Sequence, residues 1–557
     1  MAPHKFHPVD PPDPALQRVE DIPAYARTGR LPWKREADGC PLELRAADGD
    51  PQPTKFPLRH TSLLPRRAFE QILAARFRDA LADKAVWELA RTAPDASAAK
   101  LLTRGQAAWL AALALAAAAA FAATPLGAII AFNIVATAYF LFAIAFRAYL
   151  AATSFLMSPP QSPRALDESE LPVVTLLLPA HREAKALPSL AVAIRALDYP
   201  QRLLDVKLIL EEDDAETIAE ARRLGLDREF DLILVPACEP RTKPKACNYA
   251  LQLARGDLVV IYDAEDAPEP DQLRKAAAAF AAGDERLACV QARLNYYNAD
   301  ENWLSRLFAL EYALWFDAFL PALEKLRLPI PLGGTSNILR RDILVAVGGW
   351  DPHNVTEDAD LGLRLSRLGY RTAILDSTTF EEATCRTGGW IRQRSRWMKG
   401  YMQTWLVHMR HTREFADAAG WKGVAAAQLF IAGNVFSALI NPVLWGVFLF
   451  WLATRSDLVA DIFPGPLLAL NLGALVIGNS FFIYLAAIAP LKRGWIELAP
   501  AALLAPAYWA LTSLAAYRAM WQLVTRPSFW EKTEHMISAE AESRRAAAIE
   551  TLKARAA

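Results

Sequence analysis

Cysteine is scarce in this chain: Cys40, Cys238, Cys247, Cys289 and Cys385 are the five among 557 residues. An odd number with no paired spacing excludes a secreted disulfide framework and the usual zinc modules, and leaves reduced packing residues. Net charge is absent too, with 61 basic against 61 acidic residues, so no global field recruits nucleic acid and no nucleic-acid partner is expected. The opening stretch, with Pro3, His4, Lys5 and His7, lacks the apolar core of a secretory signal peptide. Apolar character is what the chain has in excess. At 53% hydrophobic it is richer than a single soluble domain needs, which puts part of it in a membrane by way of internal segments.

Those segments set the expected domain boundaries. Residues 1–105 read as a cytoplasmic N-terminal region, irregular to about Pro65 because Pro11, Pro12, Pro14, Pro51 and Pro53 interrupt any periodicity. Phe69, Ile72, Leu73, Phe77, Leu81, Val86 and Leu89 then recur at helical spacing and predict an amphipathic helix or helical hairpin. Residues 106–150 hold two charge-free runs about Thr124-Pro125, each near the ~20 residues a spanning helix needs. Lys100, Arg104 and Arg147 flank the outer ends and place them in the cytoplasm. Residues 171–400 alternate strand-like and helical runs, 401–430 read as interfacial helices, 431–524 as C-terminal transmembrane helices and 525–557 as a basic cytoplasmic tail. Three crossings in 431–524 would strand that tail outside. Either one segment therefore lies in the interface or a further crossing falls near Gln428 to Leu439.

The 171–400 block carries the chemistry. Its β-α alternation predicts a doubly wound parallel sheet, and Leu258 to Tyr262, a short apolar run, reads as a central strand delivering Asp263, Glu265 and Asp266 at its carboxyl tip. Two carboxylates one residue apart beyond a strand end suit one hard divalent cation, which in turn suits a diphosphate. Other polar groups fall along the same edge: His181, Arg182 and Glu183 after one strand, Glu211 to Asp214 after the next, and Lys243 and Lys245 before a helix. Further on come Gly333, Gly334, Thr335, then Thr356, Glu357, Asp358, then Gln393, Arg396 and Trp397.

With those four motifs in order, the block resembles a family-two, inverting, GT-A type glycosyltransferase of the membrane-embedded processive branch that includes cellulose, hyaluronan and chitin synthases. It is also similar to the inner-membrane glycosyltransferase of the phage N4 receptor system. The resemblance covers about Leu171 to Tyr401. It implies a doubly wound α/β GT-A domain inserted between transmembrane helices, with Mg2+ or Mn2+ on Asp263 and Glu265. His181, Glu183, Glu211, Asp213 and Lys245 would bind the nucleotide and Asp358 would be the general base. Glu357, Gly334, Thr335, Gln393, Arg396 and Trp397 would surround diphosphate and acceptor. Glu265 stands where many relatives have Asp and can still ligate through oxygen.

The reading that follows is a multi-pass enzyme of a bacterial-type inner membrane with its catalytic domain in the cytoplasm. Its expected partners are a UDP-sugar, a polysaccharide or glycan acceptor, the bilayer and export proteins. It would extend a β-linked polysaccharide and feed the chain through its own helices. A rival is single addition to a lipid-linked or short acceptor with the same active site. Another is a non-catalytic assembly or receptor component, against which the full set Asp263, Glu265, Asp358 and Arg396 speaks.

Overall fold

The computed structural model describes residues 12–35, 41–47, 61–157, 163–531, 543, 545–547 and 549–550. Where residues 12–64 read as irregular, the chain forms a small sheet in the order β1 (Arg30–Arg35), β2 (Pro41–Ala46), β3 (Thr61–Leu64). Leu31, Trp33, Leu44 and Leu64 bury one face of it against Phe69 and Leu73. The strands are short and charge-rich on their other face, so proline and charge outweigh two or three alternating apolar positions in the sequence. Helices Arg66–Arg76 and Arg78–Thr92 follow and dock on the central domain. Glu70 there reaches Lys207, and Asn248 donates to the Ala85 carbonyl at 3.2 Å.

The central sheet has eight strands: β4 (Val174–Ala180), β5 (Leu204–Glu211), β6 (Asp231–Val235), β7 (Leu258–Ile261), β8 (Ala267–Pro268), β9 (Leu287–Tyr296), β10 (Asn337–Arg340) and β11 (Arg371–Glu381). They lie in the order β6-β5-β4-β7-β10-β9-β11-β8. The half containing β6, β5, β4 and β7 is parallel, as uninterrupted apolar strands covered by helices on both faces should be. Beyond β7 the sheet is mixed, because β10 runs antiparallel to both β7 and β9. The reason lies in the connection. After β9 the chain leaves the carboxyl edge, builds helix Trp303–Tyr312 and the π-helical turn Ala313–Phe319, and re-enters at that same edge. A strand entering from there must point the other way, and the excursion seats the carboxyl edge upon the apolar helices.

Among the described residues five helices are long and apolar enough to cross a membrane, within 104–123, 125–156, 387–454, 466–493 and 496–525, which marks the chain as a membrane protein. Both outer ends of the first pair meet the central domain: Gln106 donates to the Leu406 carbonyl at 2.6 Å, and Leu150 and Ala151 enter the main core. Helix Gly433–Thr454 starts beside Arg147 and ends in Arg455, whose guanidinium stacks on Trp451. The 466–493 segment returns, so that Arg493 forms a bidentate pair with Asp317 at 2.6 and 2.8 Å. The last helix, Ala505–Thr525, lies along helix Thr387–His408. Tyr508 hydrogen-bonds Arg394 near one end, and beyond the other Lys399 donates to the Arg526 and Phe529 carbonyls.

Candidate functional site

One cavity of about 950 Å³ runs from the carboxyl edge of the parallel strands down among the apolar helices. At its upper end His181, Glu183 and Glu211 line it. Asp213 turns away to pair with Arg241 at 2.5 Å. Lys245 is fully buried behind Glu211, 2.9 Å from its carboxylate, so the lysine that faces the cavity is Lys243. Its ammonium lies 2.5 Å from Asp263 and 2.7 Å from the Gly334 carbonyl. Both lysines are equally visible in the sequence. Only the helical turn of Lys243–Leu251 decides which one faces in.

Below them Asp263 and Glu265 line the cavity on the turn after β7. Asp266 closes that turn by accepting from the Asp263 amide at 2.8 Å and hydrogen-bonding Thr335, which in turn donates to the Ile261 carbonyl at 2.9 Å. Thr335 thereby fixes the turn from behind. Glu381, at the end of β11, adds another acid to the cavity lining. Burial, reinforced by the charges of Asp263 and Glu265, pushes the carboxyls of Asp266 and Glu381 well above the usual range. Asp266 Oδ1 is buried without a hydrogen-bond partner among the described residues. Crowded oxygen donors with one facing lysine fit a divalent cation, whose charge would relieve this repulsion. A second acidic group, Glu70, Asp205 and Asp231, lies elsewhere, but the Lys207 ammonium fills its centre, 2.9 Å from Asp205 and 3.0 Å from Asp231. That group is a clamp on the N-terminal region.

Helix Glu357–Arg367 presents Glu357 and Asp358 from its first turn. Burial first, then the neighbouring Asp358 charge, raises Glu357 to about 8, and burial also raises Asp358. Asp358 Oδ1 accepts from the Ala359 amide at 2.7 Å, and Oδ2 faces the bare Gly334, where a Cβ would sit 3.4 Å away. The glycine leaves room for a ligand beside the carboxylate.

Gln393, Arg396 and Trp397 project into the same space from helix Thr387–His408. Two arginines in this motif have different surroundings. Arg394 makes a bidentate pair with Glu311 at 2.9 and 2.7 Å, and its guanidinium lies 4.5 Å from the Trp397 ring centroid. It holds the tryptophan in place. Arg396 has a buried Nε without a hydrogen-bond partner among the described residues, lies 4.3 Å from the Trp530 ring and faces the cavity. Trp530, with Ser528 and Phe529, joins the lining from a segment no motif marked. Arg545, also outside every motif, is buried behind the turn and donates to the Asp266 carbonyl at 2.8 Å.

The lower part of the cavity is lined by Asn434, Ser437, Asn441, Asn471 and Asn479 from the apolar helices, with Thr137 and Arg147. Amide and hydroxyl groups recurring in otherwise apolar helices are expensive in lipid and are placed toward an interior path.

A sheet whose carboxyl edge presents a carboxylate turn, a helix-borne acid and a basic, aromatic helix is the architecture of a GT-A type transferase, here flanked by helices long and apolar enough to span a membrane. Residues 258–526 match the family model described as Glycosyl transferase family group 2, and the chain carries a glycosyl transferase family 2 domain. It is 29% identical over 247 residues to a beta-monoglucosyldiacylglycerol synthase of Nostoc sp., covering 43% of this chain and 51% of that one. It is 27% identical over 249 residues to the cellulose synthase catalytic subunit of Pseudomonas fluorescens, covering 42% and 32%. The chain spans about half the length, or less, of such curated relatives. A solved mannosyltransferase from Pyrobaculum calidifontis, in complex with GDP-Man and Mn2+, superposes with a TM-score of 0.45 at 20% identity over 71% of this chain and 99% of that one.

Proposed function

We propose that the protein is an inverting, metal-dependent glycosyltransferase. It moves a sugar from a nucleotide-diphosphate donor, a UDP-sugar, to a growing β-linked glycan whose far end enters the membrane. The observation that carries this reading is the single cavity joining Asp263, Asp358 and Trp397 to the amide-lined space among the apolar helices. A transferase acting only on a small soluble acceptor has no use for its lower half.

In this reading Asp358 takes the proton from the acceptor hydroxyl as that oxygen attacks the anomeric carbon. The bond from that carbon to the diphosphate oxygen breaks on the opposite face, and one displacement inverts the centre. Arg396 and Lys243 receive the charge of the departing diphosphate, the guanidinium through paired donors. Trp397, braced by Arg394, stacks on the acceptor ring. Mg2+ or Mn2+ held by Asp263 and Glu265 would neutralise diphosphate charge when bound. His181, Glu183 and Glu211 contact the nucleoside. Four crossings, by 104–123, 125–156, 433–454 and 466–488, with the 505–525 helix in the interface beside Thr387–His408, put both termini on the catalytic side. That side is the cytoplasm of a bacterial-type inner membrane, where nucleotide sugars are made.

The relation to beta-monoglucosyldiacylglycerol synthases favours a second reading, single addition to a lipid acceptor. Both are tested in membranes carrying the protein, supplied separately with labelled UDP-glucose, UDP-N-acetylglucosamine, UDP-galactose and UDP-glucuronate, with Mg2+ or Mn2+. High-molecular-weight product from one donor is expected, reduced at least about 10²-fold in Asp358→Asn. Label confined to lipid would establish the second reading. Undiminished product in Asp358→Asn would refute the assigned base.

A further inference from the structure

Several cations around the site have a carboxylate partner: Lys243 has Asp263, Lys245 has Glu211, Arg364 has Asp360, Arg394 has Glu311 and Arg493 has Asp317. Two partly buried cations that line the cavity have no carboxylate within ion-pair distance among the described residues. Arg396 is one, and the donor diphosphate accounts for it. Arg147 is the other, and nothing in the transfer step uses it.

Arg147 lies on the spanning helix Pro125–Leu156. Its guanidinium sits 5.7 Å from the Phe430 ring and 5.4 Å from the Phe482 ring, so aromatic faces fix it. One nitrogen donates to Asn434 Oδ1 at 2.9 Å, and Asn434 is itself held because its Nδ2 donates to the Phe430 carbonyl at 2.7 Å. The guanidinium also hydrogen-bonds the Tyr139 side chain, and of its five N–H donors those not used on Asn434 and Tyr139 remain for the cavity that Arg147 lines. A cation fixed this firmly where the cavity enters the membrane helices needs a counter-charge. In this geometry the ligand supplies it.

Position identifies the ligand. From Trp397 the lining passes to Tyr312, with ring centroids 6.4 Å apart, then one helical turn on to Trp315, which meets Phe430 at 5.0 Å, the ring beside Arg147. The site therefore lies beyond the acceptor ring, where sugars already added would sit. Its surroundings join the aromatic rings Trp315, Phe430 and Phe482 to Asn434, Ser437 and Asn479, stacking faces beside amide and hydroxyl groups, which suits the rings and hydroxyls of a glycan. We infer that Arg147 with Asn434 forms an anion subsite for an acidic substituent, carboxylate or phosphate, on the glycan occupying the membrane part of the cavity. The inference rests on the proposed glycan-extending function and adds that the glycan is acidic.

The test is binding to the purified full chain in detergent, which needs no turnover. The probe is a β-linked glucuronate tetramer, compared with its methyl ester, the same rings without charge. Wild type should bind the acid form at least about tenfold more tightly, the ratio one charge-assisted hydrogen bond supports. Arg147→Gln should lose that preference and Arg147→Lys should keep much of it. Equal binding of acid and ester by wild type, a comparison that involves no variant, overturns the inference, as does a preference that survives in folded Arg147→Gln. Sugar transfer by wild type accompanied by equal binding would sink this inference and leave the transferase reading standing. Preferential binding of the acid without transfer from any donor would do the reverse.

Discussion

Gly400 sits where helix Thr387–His408 crosses the residue before the Glu357-Asp358 pair, and the crossing tolerates no side chain. A Cβ built on Gly400 would lie 2.5 Å from Thr356 Cγ2 and 2.7 Å from Thr356 Cβ, with Thr356 Oγ1 closer still, whereas ordinary contact begins at 3.4 Å. Gly400→Ala must therefore part the helix and Thr356 by nearly 1 Å. Thr356 is poorly placed to yield, since its amide donates to Asn354 Oδ1 at 3.0 Å and its side chain meets Thr404. The shift passes to the first turn of helix Glu357–Arg367 and so to Asp358. A displacement of that size at a reacting group costs about 10²-fold in rate, while overpacking costs about 1–3 kcal/mol of stability, so the protein should still fold. The assay is donor turnover in membranes beside Gly446→Ala, where nothing lies within 4 Å of the new carbon. Gly400→Ala with at least half of wild-type turnover would show that Thr356 does not register Asp358, and would refute this account of the helix crossing.

Two other outcomes follow from the buried charges. Lys207→Met leaves Glu70, Asp205 and Asp231 facing one another without their cation, and should destabilise the protein by about 3–5 kcal/mol, read as earlier thermal inactivation. Burial raises Glu70 to about 7 even with Lys207 lowering it, so without the lysine Glu70 stays protonated to higher pH and the repulsion is partly relieved; the defect should widen as pH rises above 7, and a defect independent of pH would count against it. At the site, Glu357 near 8 is mostly protonated at neutral pH. Glu357→Gln, which imitates that form, should keep most activity at pH 7 and lack the inflection near 8 expected in the wild-type kcat/KM profile.

The parallel half of the sheet is legible in the sequence because burial on both faces leaves uninterrupted apolar runs: β4, β5, β6 and β7 fall within two residues of where those runs lie. The mixed half is not, since the direction of β10 is fixed by where the chain re-enters the sheet and not by anything in Asn337 to Arg340. The motif residues are legible as a set, because each follows a strand or opens a helix at one edge. Their individual facing is a matter of helical phase, which is why Lys243 and not Lys245 meets the cavity, and why Arg396 is left for a ligand while Arg394 braces Trp397. Arg147 shows the same limit from the other side. As a basic residue closing an apolar run it reads as a topological flank, and the flank reading requires only that it reach the interface. Fixed between two rings, with Asn434 on one nitrogen and no carboxylate within ion-pair distance among the described residues, it lines the same cavity as Asp358. A positive charge serving only to mark the cytoplasmic end would gain more from water than from that enclosure. The cost of confining it is the physical reason to look for an anion at that depth.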